Sequence, residues 1–458
     1  MKALPLQTIA ALCGGCLIAG DASVIASRVS TDSRSIKAGD VFVALVGDKF
    51  DGHDFLAQVS AAGAAAVVVS KKPEDPAALH CAVIEVPDTL LALQSLARGH
   101  RRLLNPLIIG ITGSNGKTST KDFLGAVMSR KYHVSSTLGN LNNHIGVPLT
   151  LLAMDESHEC GVVEMGTNHP GEIPLLAAIA EPTAAVITNI GIAHIENFGT
   201  RSGIALEKGS LAEAVPANGV VILHANDEFT ASIASRCKAK VLRAGVNTGE
   251  VHATLQDQSA AGTLFSLVFP DGSKVEVVLP IPGEHMVANA ALAAACAWHH
   301  GISAEDIAEA LAAVKLTKGR VQIKNLRGIV FLDDSYNANP DSMRAAIQTL
   351  ATMKTAGRKI AVLGRMGELG PFAESGHRSV GKNVAEAKLD AVFTIGDEAA
   401  LISNTAAQGH RGIVSNNFSS HEEAASFLRG WLRDGDAVLL KGSRSAAMEK
   451  VLHLLETS

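Results

Sequence analysis

Residues 110–118 limit what this chain can be. Gly110-Ile111-Thr112-Gly113-Ser114-Asn115-Gly116-Lys117-Thr118 follows the apolar run Leu107 to Ile111 and leads into a stretch whose Phe123, Leu124, Val127 and Met128 recur at helical spacing. The pattern predicts a strand, a glycine loop and a helix in that order. Glycines let backbone N–H groups approach phosphate oxygens, and a helix N-terminus adds the positive end of its dipole. Lys117 reaches the terminal phosphates and the Thr118 hydroxyl can ligate Mg²⁺, so Gly113, Ser114, Asn115, Gly116, Lys117, Thr118 and Ser119 form a candidate site for ATP or GTP. A glycine turn with an incidental lysine would not require the flanking strand and helix. A standard phosphate loop has glycine six residues before the lysine; that place is Ile111, and the glycine stands one earlier at Gly110, which makes the loop a variant.

The loop sits in a chain of 458 residues, 47% of them hydrophobic. That is more than one core usually organises and predicts about three domains. A net charge of −5 supplies no basic stripe for nucleic acid and no polybasic segment for an anionic membrane. Small molecules are therefore the expected partners. The apolar stretch Leu4 to Ile18 is interrupted by Gln7 and Thr8 and has one lysine before it, a poor signal peptide, and it is assigned to the first domain. No unbroken run of about twenty apolar residues predicts a membrane span. Six scattered cysteines read as reduced thiols of a cytoplasmic protein.

Residues 1–103 read as a small α/β domain. From Pro106, strand candidates at Leu107 to Ile111, Gly161 to Met165, Ala184 to Asn189 and Gly219 to Leu223 alternate with helical stretches, which predicts a doubly wound, mostly parallel sheet over residues 104–316. Between about Val241 and Leu279 the pattern alternates around the turn Phe269 to Ser273, predicting a local antiparallel section. Ser303 with Asp306 opens a helix ending near Val314, and Lys315 to Gly319 reads as a linker. Residues 317–458, with strands at Ile329 to Leu332, Lys359 to Leu363, Ala391 to Ile395 and Ala437 to Leu440, form a second, Rossmann-like α/β domain.

Three residues beyond the loop fall where such sheets put ligands. Glu164 ends the strand Val162-Val163-Glu164, where an acid can hold Mg²⁺ directly or through water, or simply terminate the strand. His194 lies on the glycine-bounded loop Gly191 to Gly199 and is a candidate metal ligand. Lys208 stands at a predicted helix start, where an exposed lysine is the ordinary reading.

These residues resemble the Mur ligase family, which also includes folylpolyglutamate synthases. The resemblance spans essentially the whole chain. It rests on Thr112 to Thr118, on Gly139-Asn140-Leu141-Asn142-Asn143 with Gly146 and Pro148, and on Glu164 and His194. Farther along it includes Gly283-Glu284-His285 with Asn289, Lys318-Gly319-Arg320, Asp333 to Pro340, Met366 to Gly370 and Lys441 to Ser445. The run Asp334-Ser335-Tyr336-Asn337-Ala338-Asn339-Pro340 is similar to that of the branch that adds D-alanyl-D-alanine; the Asp-Asn-Pro-Arg motif of the branch that adds the third amino acid does not occur.

The resemblance implies an ATP-dependent, ADP-forming ligase of peptidoglycan precursor synthesis, acting as a monomer on UDP-N-acetylmuramoyl-tripeptide and D-alanyl-D-alanine. By resemblance, Lys117 binds the β- and γ-phosphates, Thr118 and Glu164 one Mg²⁺, and His194 a second. Lys208 matches a lysine that the family carbamylates. Asn289, Arg320, Asp334 and Asn337 complete the nucleotide site, and Lys117, Glu164, His194, Lys208 and Arg320 carry the chemistry. Ser30, Asp32, Ser33 and Arg34, with Asp51, Gly52 and His53, look like the family's UDP-sugar domain. Asn140, Asn142, Asn143, Tyr336, Asn339, Ser443 and Arg444 are further substrate candidates. Three positions depart from the family pattern: Met286 in place of Asn, Arg365 in place of Asp, and Ser210 in place of Glu. Two alternatives stay open, a ligase of the same family with another amino-acid substrate and an ATP-binding protein without turnover.

Overall fold

The computed structural model describes residues 1–457. Beside a two-stranded sheet of Leu4–Pro5 and Ile25–Ala26, three larger sheets follow one another along the chain. The first has five strands in the order Cys16–Ala19, Ala82–Glu85, Ala66–Val69, Val41–Val43, Val29–Ser30, parallel except for the first. A long helix, Thr89–Leu104, capped by the Asp88 carboxylate on the Leu91 N–H, leads out of it. Its buried Leu93, Leu96 and Ala97 join the core of this sheet to one face of the next.

The second sheet has nine strands in the order Lys274–Leu279, Gly262–Val268, Val251–Ser259, Lys240–Val246, Val220–His224, Ala184–Ile187, Leu107–Thr112, Cys160–Glu164, Val134–Ser136. Adjacent residues of its central strand go to opposite faces. Ile108 packs with Ile173, Leu176 and Leu211, while Ile109 and Ile111 pack with Phe123, Leu124 and the fully buried Ala290 to Ala297. Both faces are covered, which accounts for the unbroken apolar strand runs in the sequence. The chain enters at Leu107–Thr112, visits the two strands on one side and then continues on the other, so the order reverses around this strand. At such a switch point the connections diverge and leave a crevice at the strands' carboxyl ends.

The predicted antiparallel section holds for the two hairpin strands, Gly262–Val268 and Lys274–Leu279, but not for its first part. Lys240–Val246 runs parallel to both neighbours. The compact loop after it places Asn247 (φ 57°) and Gly249 (φ 104°) in left-handed conformations that Asn and Gly tolerate, and it returns the chain in the same direction.

The third sheet orders Gln322–Leu326, Ile329–Asp333, Ala437–Lys441, Lys359–Gly364, Ala391–Ile395 and Val414–Phe418, with only the first pair antiparallel. Its two edge strands are rich in polar residues, Gln322–Leu326 mostly half-buried and Val414–Phe418 mostly exposed, which hid them from a reading based on apolar runs. No helix among the described residues is long and apolar enough to cross a membrane.

Glu181 fastens the helix Thr89–Leu104 to the second sheet. It follows the helix Glu172–Ala180 at φ 47°, its carboxylate accepts hydrogen bonds from Arg98 and Arg102, and Arg101 donates to the carbonyls of Ala180 and Glu181. Hydrogen bonds from Arg102, then Arg98, hold the Glu181 carboxyl down to about 2. A depressed acid stabilises the fold fully above its unfolded value, and that stabilisation is lost as the pH falls toward the folded value. Glu181→Gln is expected to lower the urea midpoint at a pH of about 6, with the difference from wild type shrinking as the pH approaches about 2. A difference independent of pH would contradict the ion-pair account.

Candidate functional site

The crevice at the switch point is the wall of a cleft of about 880 Å³ between the second and third sheets. Ser114 to Ser119 line it, with Lys117 opening the helix Lys117–Met128. The two loop glycines are sterically required. A Cβ at Gly113 (φ 150°) would lie 1.8 Å from the Thr188 hydroxyl, and one at Gly116 (φ 79°) would lie 2.6 Å from the Asn289 side chain. Gly110 has a different reason. It lies within the strand, and a Cβ there would meet Leu211 at 2.9 Å, so the glycine that makes the loop look like a variant serves helix packing.

Asn189, which sequence reasoning missed, clamps the loop. Its side chain accepts from the Asn115 N–H at 3.0 Å and donates to the Asn115 carbonyl at 3.0 Å, while its own carbonyl accepts from Ser114 N–H. Only its place just after the strand Ala184–Ile187 could have pointed to it.

Glu164, 3% exposed, accepts from Asn142 at 2.8 Å through Oε1, and its backbone N–H donates to the Thr137 hydroxyl. Its other oxygen, Oε2, is buried without a partner. No group of three or more His, Cys, Asp or Glu suited to a metal occurs among the described residues. One unpaired carboxylate oxygen beside a phosphate loop nevertheless fits Mg²⁺, which takes one or two carboxylates together with substrate phosphates.

Lys208 corrects its sequence reading. It lies in the middle of the helix Arg201–Ala214, 1% exposed, and its Nζ has no partner. Burial, then the charge of Lys117, pushes its amine well below the ordinary lysine range, against the pull of Glu207 and Glu172. Lys117 is lowered too, first by desolvation and then by Arg320, with Glu164 opposing.

The third sheet supplies the opposite wall. Arg320 donates to the Thr118 hydroxyl at 3.4 Å and stacks over the Tyr336 ring, 4.2 Å from its centroid. Asp334 is ion-paired with the buried Lys441, which also donates to the Asn337 carbonyl. Asn339 caps the helix Pro340–Thr352 and donates to the Asn115 side chain at 2.7 Å. Asp341 accepts the Ile192 N–H at 3.0 Å, and His194 Nδ1 lies 2.8 Å from Glu368. The cleft is thus closed by polar contacts between the two lobes.

Asn140, Asn142, Asn143, Asn289, Asn337 and Tyr336 also line this cleft. Ser443 and Arg444 do not; Ser443 is buried and Arg444 pairs with Glu449. The first-sheet candidates lie outside it as well. Arg34 pairs with Asp32 and holds its carboxyl down to about 2. Asp51 is bonded to Lys71 and to His53, whose Nε2 accepts backbone N–H groups of Ser70 and Lys71, so that ring is fixed as the Nδ1–H tautomer. Ser30 is buried within the turn that carries Asp32 and Ser33, and Gly52 passes 2.7 Å from the Ala44 backbone at its would-be Cβ.

The departing residues have local explanations. Met286 is buried in the apolar core, Arg365 pairs with Glu398 and the Ser445 hydroxyl, and the Ser210 hydroxyl returns a hydrogen bond to the Glu207 carbonyl.

Family profiles cover most of the chain: "Mur ligase family, catalytic domain" matches residues 26–101, "Mur ligase middle domain" 111–297 and "Mur ligase, glutamate ligase domain" 319–444. The UDP-N-acetylmuramoyl-tripeptide–D-alanyl-D-alanine ligase of Bacillus subtilis is 40% identical over 93% of this chain and 92% of its own. That of Escherichia coli is 37% identical over 95% of both chains. A crystal structure of MurF from Acinetobacter baumannii superposes with a TM-score of 0.91 at 35% identity over the whole of both chains. MurF from Thermotoga maritima in complex with ADP gives 0.84 at 29% identity, over 94% of this chain and 97% of its own.

Asn189→Ala is expected to weaken ADP binding by about 1–3 kcal/mol, the cost of leaving the Asn115 N–H unpaired, while the Asn115 carbonyl keeps the hydrogen bond it accepts from the Thr188 hydroxyl. Titration calorimetry checks this; unchanged affinity would contradict the clamp.

Proposed function

The chain belongs to the Mur ligase family, and we propose that it adds D-alanyl-D-alanine to UDP-N-acetylmuramoyl-tripeptide, with ATP converted to ADP and phosphate, in peptidoglycan precursor synthesis. The observation that carries the proposal is the convergence of Lys117, Glu164 and Arg320, from two separately folded lobes, on one cleft at the switch point. On this reading residues 1–103 hold the UDP-sugar, residues 104–316 the ATP, and residues 317–458 the incoming dipeptide. The enzyme works in the cytoplasm as a monomer.

A carboxylate does not accept an amine directly, because its leaving group would be oxide. The tripeptide's terminal carboxylate instead attacks the γ-phosphorus of ATP, the bond to the β-phosphate oxygen breaks, and ADP leaves. The acyl phosphate so formed is attacked by the dipeptide amine, and phosphate departs through a tetrahedral intermediate. Lys117 and Arg320 face the transferring phosphoryl from opposite lobes, neutralise its charge and hold donor and acceptor in line. The Gly113–Gly116 loop, braced by Asn189, presents N–H groups to the phosphates, and Asn289, Asp334 and Asn337 border the nucleotide. Mg²⁺ held by Thr118 and Glu164, with a second ion at His194, would shield phosphate charge. Asn140, Asn142, Asn143, Tyr336 and Asn339 surround the reacting peptide end.

Lys208 enters this reading as a carbamate. A buried, unpartnered amine whose hold on its proton is weakened by burial and by Lys117 adds CO₂ and loses a proton more readily than an exposed lysine, and the anion so formed would sit beside the cation of Lys117. Carbon-13 bicarbonate is expected to give a protein carbamate resonance in wild type that Lys208→Arg lacks. Equal signals in the two proteins would remove this assignment.

The function is checked by phosphate release with UDP-tripeptide and, in turn, D-alanyl-D-alanine, meso-diaminopimelate and glutamate as acceptor. Release only with D-alanyl-D-alanine is expected. Preference for another acceptor would make the chain a different ligase of the family, and no release with any acceptor would leave a nucleotide binder.

A further inference from the structure

The linker that joins the two lobes is pinned to the nucleotide helix at one point. Asp122, one helical turn beyond Thr118 on the same face of Lys117–Met128, accepts the backbone N–H of Thr317 at 2.8 Å through Oδ2 and the Thr317 hydroxyl at 3.2 Å through Oδ1. Two residues later the backbone is bonded to the third lobe, since the Gly319 carbonyl accepts from Tyr336 and the Val321 N–H donates to Asp334, while the Val321 side chain still packs in the core of the second lobe. Gly319 (φ 76°) and Val321 (φ 44°) both lie in the left-handed region, a conformation that a β-branched residue adopts only when its surroundings impose it. Arg320 lies three residues past the anchor, within about 10 Å of extended chain, and its guanidinium meets the Thr118 hydroxyl.

The anchor is itself braced. Lys121 pairs with Asp122 at 2.9 Å, and the two side chains are 7% and 11% exposed. Lys121 also donates to the Thr137 carbonyl, and the Thr137 hydroxyl accepts the Glu164 N–H. Lys121 therefore ties the anchor to the strand end that carries Glu164, through a bond to Thr137 that does not use the Asp122 carboxylate. A buried pair whose remaining hydrogen-bonding capacity is used in this way fixes geometry more than it adds stability.

We propose that Asp122 is a positioning residue for the ligation reaction: by holding Thr317 it sets where Arg320 meets the transferring phosphoryl group. This rests on the reading of the cleft given above, in which Arg320 acts on that group. The anchor does not touch the phosphate loop, so it governs delivery of the arginine and leaves nucleotide affinity alone.

The test is a double-mutant cycle in the full-length enzyme, with kcat from phosphate release and ADP affinity from calorimetry. Asp122→Ala is expected to change ADP affinity less than about threefold while lowering kcat about ten- to a hundredfold, the usual consequence of misplacing a charge by about 1 Å. In the Arg320→Ala background the same change is expected to cost less than about threefold, because its effect passes through the arginine. Asp122→Asn, which keeps an acceptor for the Thr317 N–H, falls between wild type and Asp122→Ala, and it replaces the alanine variant in the cycle should that one not fold. Equal factors in both backgrounds, or a loss of ADP affinity parallel to that of kcat, would overturn the proposal. Full kcat in Arg320→Ala alone would instead remove the reading of the cleft on which it rests.

Discussion

The reversal of strand order around Leu107–Thr112 fixes the direction in which everything else in this molecule points. Once both faces of the sheet are sealed by apolar helices, its carboxyl edge is the one place left where backbone polar groups and charged side chains can gather without being buried in hydrocarbon. The glycine loop, Glu164, Asn189 and His194 all leave strands there. The third lobe has its own cores, so it can add side chains to that edge only by resting against it, which it does through Asn339, Asp341, Glu368 and Arg320.

The charge arrangement of the cleft makes sense as a receptor for a polyanion. Burial lowers the amines of Lys117 and Lys441, and Arg320 lowers both further. Cations gathered this way repel one another and are poorly solvated, so a bound triphosphate relieves both penalties at once. Part of the positive charge comes from the third lobe, through Arg320 and Lys441, so a polyanion in the cleft would draw the two lobes together.

Much of this was legible in the sequence. Long apolar strands and the glycine loop stand out because burial on both faces demands unbroken hydrophobic runs and the loop demands absent side chains. Exposed edge strands such as Val414–Phe418 carry no such mark. The parallel course of Lys240–Val246 was hidden because alternation looks alike in either pairing, and only the left-handed Asn247 and Gly249 decide the direction. Lys208 could not be read as buried from its own neighbours; its surroundings come from Lys117 and Glu172, far away in sequence. Asn189 and Asp122 were missed because an amide after a strand and an acid on a helix are ordinary features until the partner they bind is known.

The account turns on one event, transfer of the terminal phosphoryl group of ATP to a carboxylate inside the cleft. Labelling the UDP-tripeptide's terminal carboxylate with oxygen-18 and analysing the released phosphate by mass spectrometry tests it most directly. Transfer through an acyl phosphate leaves one labelled oxygen from the carboxylate in each phosphate formed. Phosphate free of label, with peptide product still accumulating, would contradict the mechanism and the site built around it.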